Sequence, residues 1–322
     1  MSASVWVLGE ALMDCVAQPD GSFKPMLGGS PFNLARAVAL QGVDVGYLSP
    51  LSTDVFGLQL AAKLSESGAK ALSPASPKPT SLAVVNIQDG QASYGFYRDG
   101  VADRDYHADD IVRLLKQHPP GVLHTGSLMA MPPEHHKVMH VIQFAKAMGW
   151  TISIDVNLRT RVAYDLPAYL QAVMQMAALA DWLKASDEDM QLLGWTEVHW
   201  NHTDALAAQW LALGCQRVAL TFGAQGASLH MATDVSSASH TTQSTLAKAA
   251  APKVQVVDTV GAGDTFWGSC LADWVLHDTV GHDDVAAARL ESTLLRALKA
   301  AAINCERVGC QPPNAEETKS AN

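Results

Sequence analysis

The stretch from Asp258 to Asp264, Asp-Thr-Val-Gly-Ala-Gly-Asp, sets two carboxylates around a turn of small residues, and residues of these types at this spacing can do chemistry. The apolar run Val254 to Val257 reads as a short buried strand, Gly261-Ala262-Gly263 as a turn, and Thr265 to Leu276 as a helix, so Asp264 sits at a helix start. Free N–H groups in a first helical turn, opened by glycines that let a ligand reach the backbone, form an anion site suited to phosphate. A carboxylate in that site can take a proton from an alcohol while neighbouring amides stabilise a transferring phosphoryl group. The plainer alternative is a capped helix after an ordinary turn, since Asp and Gly are common in both places.

A second constellation precedes it. In Gly28-Gly29-Ser30-Pro31-Phe32-Asn33 the glycine pair leads into a helix, with Ser30 expected as N-cap and Pro31 at the first helical position. Two glycines let a polar ligand touch backbone, and the Asn33 amide offers both a donor and an acceptor, a combination that suits sugar hydroxyls. Asp14 follows the first strand closely. Further polar groups fall where strands should end. Arg159 follows the run Ile152 to Asp155 and is a candidate phosphate contact. Ser186-Asp187-Glu188-Asp189 follows the strand Trp182 to Lys184, and Gly223 to Gly226 follow Arg217 to Thr221. The acidic cluster could orient a hydrated magnesium ion, although acidic residues in a first helical turn are equally expected from the helix dipole.

These residues need a scaffold, and the pattern supplies one. Val5 to Leu8 reads as a first buried strand. From Val45 onward apolar strands alternate with helical stretches at Val55 to Ser67, Asp109 to His118, Pro133 to Met148 and finally Leu290 to Glu306. Such alternation predicts an α/β fold with a mostly parallel sheet and helices on both faces, whose ligands bind beyond the carboxyl ends of the strands. Two hairpins are expected to leave that sheet. One turns at Pro19-Asp20-Gly21 and the other at Gln88-Asp89-Gly90, where Tyr94, Phe96 and Arg98 alternate on one face. Residues 14–29 and 81–104 would thus contribute a small β lid on a single domain. Asp234 to Ala251 reads as a mobile loop or irregular hairpin, and 312–322 as a loose tail.

Composition narrows the partners. With 32 acidic against 22 basic residues and a formal charge of −10, the chain offers no broad basic surface for nucleic acid. No apolar stretch is long enough to span a bilayer, and no Lys or Arg precedes Lys24, so neither a membrane anchor nor a secretory signal is expected and the cytoplasm is the expected location. Five cysteines at irregular spacings suit reduced thiols. His135, His136 and His140 lack a metal-binding pattern and read as solvated.

Taken together, the two glycine segments, in this order and at this distance, resemble the ribokinase/PfkB family of carbohydrate kinases over nearly the whole chain, 1–322. The resemblance implies a ribokinase-like fold, Asp264 as catalytic base, and an anion hole from Gly261, Ala262, Gly263 and Asp264, beside which Arg159, read above as a phosphate contact, would add its charge. It implies that Asp14, Gly28, Gly29 and Asn33, with Phe96 and Arg98, hold the sugar. It places ATP against Lys184, Ser186, Thr221, Gly223 and Gly226 with Asn304 near the adenine, magnesium near Asp189 through water, and a monovalent cation such as potassium near Asp258. One departure is that Ser186-x-x-Asp189 stands where the family often has Asn-x-x-Glu. Tyr94 to Arg98 with Ala102-Asp103, Gly126-Ser127-Leu128 and Asp155 to Arg159 look most like bacterial fructokinases. Kinases for 2-keto-3-deoxygluconate or for ribosides, and a non-catalytic sugar- and nucleotide-binding protein, are the alternatives. Lids in this family often pair between subunits, which makes a homodimer through the lid an expectation. A dinucleotide-binding enzyme is disfavoured, because its fingerprint starting at Gly261 would need glycine at Phe266.

Overall fold

The first strand, Ser4–Val7 (β1), shows how the fold is built. Val5 and Val7 point into one core while Trp6 and the following Leu8 point into another, as a period of two requires of a strand covered on both faces. The computed structural model describes residues 4–18, 20–88, 91–234, 243–277 and 283–320.

Strands Leu12–Ala17 (β2) and Phe23–Gly28 (β3) come next, then helix Ser30–Leu40 (α1) and strand Asp44–Tyr47 (β4). Helix Val55–Glu66 (α2) and the short strand Lys70–Ala71 (β5) precede the hairpin Ser81–Gln88 (β6) and Gln91–Tyr97 (β7). The middle of the chain alternates through Ala108–Lys116 (α3), Val122–Gly126 (β8), His135–Ala147 (α4), Thr151–Asp155 (β9), Leu166–Ala177 (α5) and Trp182–Ser186 (β10). Helices Asp187–Leu192 (α6) and Thr203–Leu211 (α7) lead to strands Arg217–Thr221 (β11), Ala227–Asp234 (β12) and Gln243–Ala249 (β13). Three helices close the chain: Ala262–His277 (α8), Asp283–Cys305 (α9) and Ala315–Ser320 (α10).

Among the described residues the main sheet has nine strands in the order β13-β12-β11-β10-β9-β8-β1-β4-β5, antiparallel only where β12 meets its two neighbours. One face packs on α3, α4, α5 and α7, the other on α1, α2, α8 and α9. The expected α/β fold with a mostly parallel sheet covered on both faces is therefore present. A second sheet of four strands, β3-β2-β6-β7, is formed by residues 12–28 and 81–97. Of its two expected turns, Pro19 and Asp89-Gly90 lie outside the described residues.

Three local expectations are corrected. The run Val254 to Val257 is not a buried strand. Its backbone is irregular, Val256 and Val257 are 60% and 55% exposed, and the N–H groups of Val257 and Asp258 donate to the Cys305 carbonyl at the end of α9. A four-residue apolar run does not say which partner takes its backbone. Ser30 is the first residue of α1 and not its cap: Gly29, at φ 103°, takes the cap position, and the Ser30 hydroxyl finds a carboxylate instead. Lastly, the described part of the tail is tied down. Within it α10 forms, the Pro313 carbonyl accepts from Gln41 Nε2, and Arg307 pairs with Glu317. Of Asp234 to Ala251, β13 pairs with β12 through an irregular register, and 235–242 lie outside the described residues.

Candidate active site

Two helices that pack side by side bring their N-terminal ends together at Asp264. Helix α8 crosses α1 closely because Gly268 leaves room for Ala37, whose Cβ would come within 2.8 Å of any Cβ added at Gly268. That crossing brings the N-termini of α1 and α8 together, with their free N–H groups and dipoles. Asp264 lies in the first turn of α8 and is buried. Ser30 Oγ donates to its Oδ1 at 2.7 Å and Asn33 Nδ2 to its Oδ2 at 3.0 Å. Burial pushes the Asp264 pKa up, while the Ser30 and Asn33 hydrogen bonds and the nearby Lys184 and Arg159 charges pull it back. Such a carboxylate is held in place, partly desolvated, and able to accept a proton.

Above this junction stand the residues expected to hold a sugar. Asp14 on β2 lies level with Ala83 on β6, and Ala83 with Phe96 on β7, so Asp14 and Phe96 share one face of the small sheet. Gly28, at the end of β3, lies against Asp14: a Cβ there would collide with Asp14 Oδ2. Burial raises the Asp14 pKa to about 6, with Arg159 opposing and Asp264 adding to the rise. Gly29 allows the Glu10 carbonyl to pass close by. Arg98 is committed elsewhere, since its Nη2 donates to Asp103 Oδ2 at 2.6 Å in a buried cluster where Ser81 Oγ donates to Asp103 Oδ1. Glu10 belongs to that cluster; burial lifts its pKa to about 7 against the pull of Arg98. A cleft of about 710 Å³ runs along β7, lined by Phe96, Arg98, Leu128, Arg161 and Tyr164 among others. Neither Asp14 nor Asp264 lines it.

On the other side lies the small-residue turn. Gly261 takes φ 74°, and a side chain there would strike Cys310. A Cβ at Gly263 would lie 3.5 Å from Lys184 Nζ, which places that ammonium next to the turn. Lys184 is nevertheless a buried strand residue whose Nζ bonds both oxygens of Asp155 at 2.9 Å. Register sets Ser186 beside Thr221 at the ends of β10 and β11, with Gly223 and Gly226 just beyond. Gly226, at φ 124°, is required because a Cβ would collide with the Ala249 carbonyl. Arg159 is exposed at the end of β9, near Asp14 and Asp264, and its Nη1 donates to the Leu158 carbonyl at 3.0 Å.

Three expected ligands turn inward. Asp189 completes a capping box with Ser186, and its other oxygen accepts the Leu158 N–H at 2.7 Å, so both oxygens serve protein donors. Asn304 is fully buried, donating to the Val260 carbonyl and accepting from Gln311 N–H, each at 2.8 Å. Asp258 accepts from the N–H groups of Val260 and Gly309. Each braces the turn or a helix start. Glu10, Ser30 and Asp155, which the structure places beside these side chains, are not marked as site residues by the sequence. A signal for Asp155 was available, since it is a charge at the end of a buried strand and register sets it beside the buried Lys184.

An open α/β sheet with two helix N-termini meeting on a buried carboxylate is an arrangement of the class suited to anionic groups. Residues 2–317 match the pfkB family carbohydrate kinase, and the chain belongs to that family. It is a carbohydrate kinase. It is 32% identical over 285 residues to a fructokinase of Rhizobium leguminosarum bv. trifolii, covering 87% of this chain and 82% of that one. A fructokinase of Xylella fastidiosa with bound ATP superposes with a TM-score of 0.79 at 25% identity, over 98% of this chain and 97% of that one. The fructokinase of Vibrio cholerae O395 in its fructose, ADP and calcium ion bound form has a TM-score of 0.81 at 24% identity, over 99% of both chains, and shares the fold.

Proposed function

We propose that the protein transfers the terminal phosphoryl group of ATP to the primary hydroxyl of a sugar, with fructose the preferred acceptor and fructose 6-phosphate the product. The observation that carries the chemistry is the Asp264 carboxylate, fixed at the meeting of two helix N-termini by Ser30 and Asn33. The choice of fructose is supported by the fructokinases of Rhizobium leguminosarum and Xylella fastidiosa.

In this reading Asp14 and Asn33 orient the sugar. Asn33 Oδ1 is a buried acceptor without a partner among the described residues, ready for a hydroxyl. Asp264 takes the proton of the attacking hydroxyl, and the amides of Gly261 and Gly263 stabilise the charge on the transferring group together with Arg159, joined by Ala262 once its N–H leaves the Thr259 carbonyl that it meets at 3.2 Å. Thr221, Gly223 and Gly226 lie where a nucleotide would rest at the strand ends. The four-stranded sheet acts as a lid that excludes water, which would otherwise compete as acceptor. A homodimer through that lid is part of the reading.

Magnesium chemistry would neutralise phosphate charge. Among the described residues no group of three or more His, Cys, Asp or Glu side chains could hold a metal ion, and Asp189 is committed to its cap. The residues present do not make a protein cage, so magnesium is expected to arrive on the nucleotide's own oxygens.

The test is ADP release by the purified protein with MgATP across fructose, ribose, 2-keto-3-deoxygluconate, inosine and aminoimidazole riboside, with Asp264→Asn alongside. Strong turnover on fructose, reduced about a hundredfold or more in the variant, is the expected result. Turnover on another sugar would replace the substrate, and equal loss of binding and turnover in the variant would reduce Asp264 to a structural cap.

A further inference from the structure

Among the described residues Arg36 is a buried cation with no carboxylate in ion-pair contact, although the more distant Glu66 charge favours its charged form. It sits on α1 one turn after Asn33, is 3% exposed, and donates from Nη1 to the Cys310 carbonyl at 3.1 Å. Its guanidinium lies 5.6 Å from the centre of the Phe32 ring, and its Nε finds no partner. Burial pulls its pKa down. A guanidinium taken out of water for one carbonyl is costly, and packing alone would be met by an apolar side chain of the same length.

The carbonyl it holds belongs to a segment that is also tied to the phosphate-side turn. Gly309 N–H donates to Asp258 Oδ2, and Gln311 N–H donates to Asn304 Oδ1, both at 2.8 Å. Asp258 and Asn304 in turn hold the N–H and the carbonyl of Val260. Cys310 itself packs against Gly261 so tightly that no side chain fits there. Further along, Gln41 at the end of α1 donates to the Pro313 carbonyl and meets the Thr318 hydroxyl. Residues 309–318 thus form a strap tied to α1 at two levels, with its first three residues set against the turn at 258–261.

We infer that Arg36 is a positioning residue: it clamps this strap to the helix that carries Ser30 and Asn33, and so fixes the Gly261 turn relative to Asp264. The inference rests on the phosphoryl-transfer reading above for its effect on rate. One helix then sets both the carboxylate, through Ser30 and Asn33, and the anion-binding turn, through Arg36 and Cys310. The misplacement of a few tenths of an ångström to 1 Å that follows from losing the clamp is enough to slow a transfer that depends on alignment.

The experiment compares the wild-type chain with Arg36→Met and Arg36→Lys. Met keeps most of the stem and removes the charge, so the fold is expected to survive, and circular dichroism and melting temperature check this. For Arg36→Met the expected result is a kcat about tenfold to a hundredfold lower, with sugar dissociation constant within about twofold of wild type. Arg36→Lys, which can still reach the carbonyl with one donor, should recover a good part of that rate. Hydrogen exchange should rise in Arg36→Met both at 307–313 and at 258–263. A rate loss that follows melting temperature alone, with kcat intact in folded protein, would overturn the inference. So would faster exchange confined to 307–313 with the turn unchanged. Silence of the wild-type protein on every sugar would remove the phosphoryl-transfer reading, while exchange at 258–263 would still decide the clamp.

Discussion

Asn33 Nδ2 donates to Asp264 Oδ2 across 3.0 Å although 231 residues separate them, and the Asn33 Oδ1 on the same amide is buried with no partner among the described residues. One side chain therefore has two tasks that can be read separately. Asn33→Ala removes a donor that holds the Asp264 pKa down, so that pKa rises further. In the proposed reaction Asp264 must be ionised to act as base, so the acidic limb of kcat/KM against pH should move to higher pH. Loss of the Oδ1 acceptor should also weaken sugar binding by about tenfold, the usual worth of a hydrogen bond, with ATP binding nearly unchanged. A pH profile superposable on wild type would remove Asn33 from the control of Asp264.

Gly28 matters for room and not for backbone freedom, since it lies in a strand end and its missing Cβ would collide with Asp14 Oδ2. Gly28→Ala should push the Asp14 carboxylate aside and raise the sugar dissociation constant about tenfold or more while leaving ATP affinity alone. Because the effect runs through Asp14, adding Asp14→Ala to Gly28→Ala should cost less than the two single changes summed. Full additivity in calorimetric titrations would show that the two residues do not share a ligand contact.

Asp14 should weaken the fold at neutral pH. Burial raises its pKa from 3.8 to about 6 in the folded protein, so between those values the folded state binds more protons than the unfolded one and stability falls as pH rises. Its favourable contribution is present below about pH 4 and gone above about pH 6. Asp14→Asn escapes that loss. After discounting for solvent screening at a partly buried site, the variant should be more stable than wild type by about 1–2 kcal/mol at pH 8, with the gap closing near pH 4. Sugar affinity should fall in the same variant, the trade expected where a site keeps a charge for function. Urea unfolding at the two pH values checks the sign, and a gap that widens on acidification would contradict it.

The glycine segments at 28–29 and 261–263 were legible because a turn, a helix start and a carboxylate are local features, and the alternation of strands and helices gave the sheet. What local pattern does not carry is the partner of a polar group. Ser30 looks like a cap in sequence because nothing nearby shows that Asp264 will stand within 2.7 Å of its hydroxyl. Asp189 is expected as a ligand from its place after a strand, and Asn304 and Asp258 from the family resemblance, yet each meets backbone groups brought from elsewhere. The tail after Pro312 reads as loose because its ties run to Gln41 and Arg307, the first of them 272 residues away. Long-range pairing decided each of these cases.

Lys184 and Asp155 make the deepest such pair, side by side on β10 and β9 with both carboxylate oxygens at 2.9 Å from the ammonium. Both are buried, and burial lifts the Asp155 pKa to about 6 although Lys184 pulls it down. Removing one partner leaves a buried charge without its counter-ion. Lys184→Met should therefore destabilise the protein by about 3–5 kcal/mol. Adding Asp155→Asn removes the stranded carboxylate, and the double variant should regain a large part of that loss, because a neutral pair of similar volume needs no compensating charge. Denaturant midpoints of the two single variants and the double variant measure the coupling. A double variant as unstable as Lys184→Met would mean that the ammonium is held by something other than Asp155, and that its place beside Gly263 serves the turn directly.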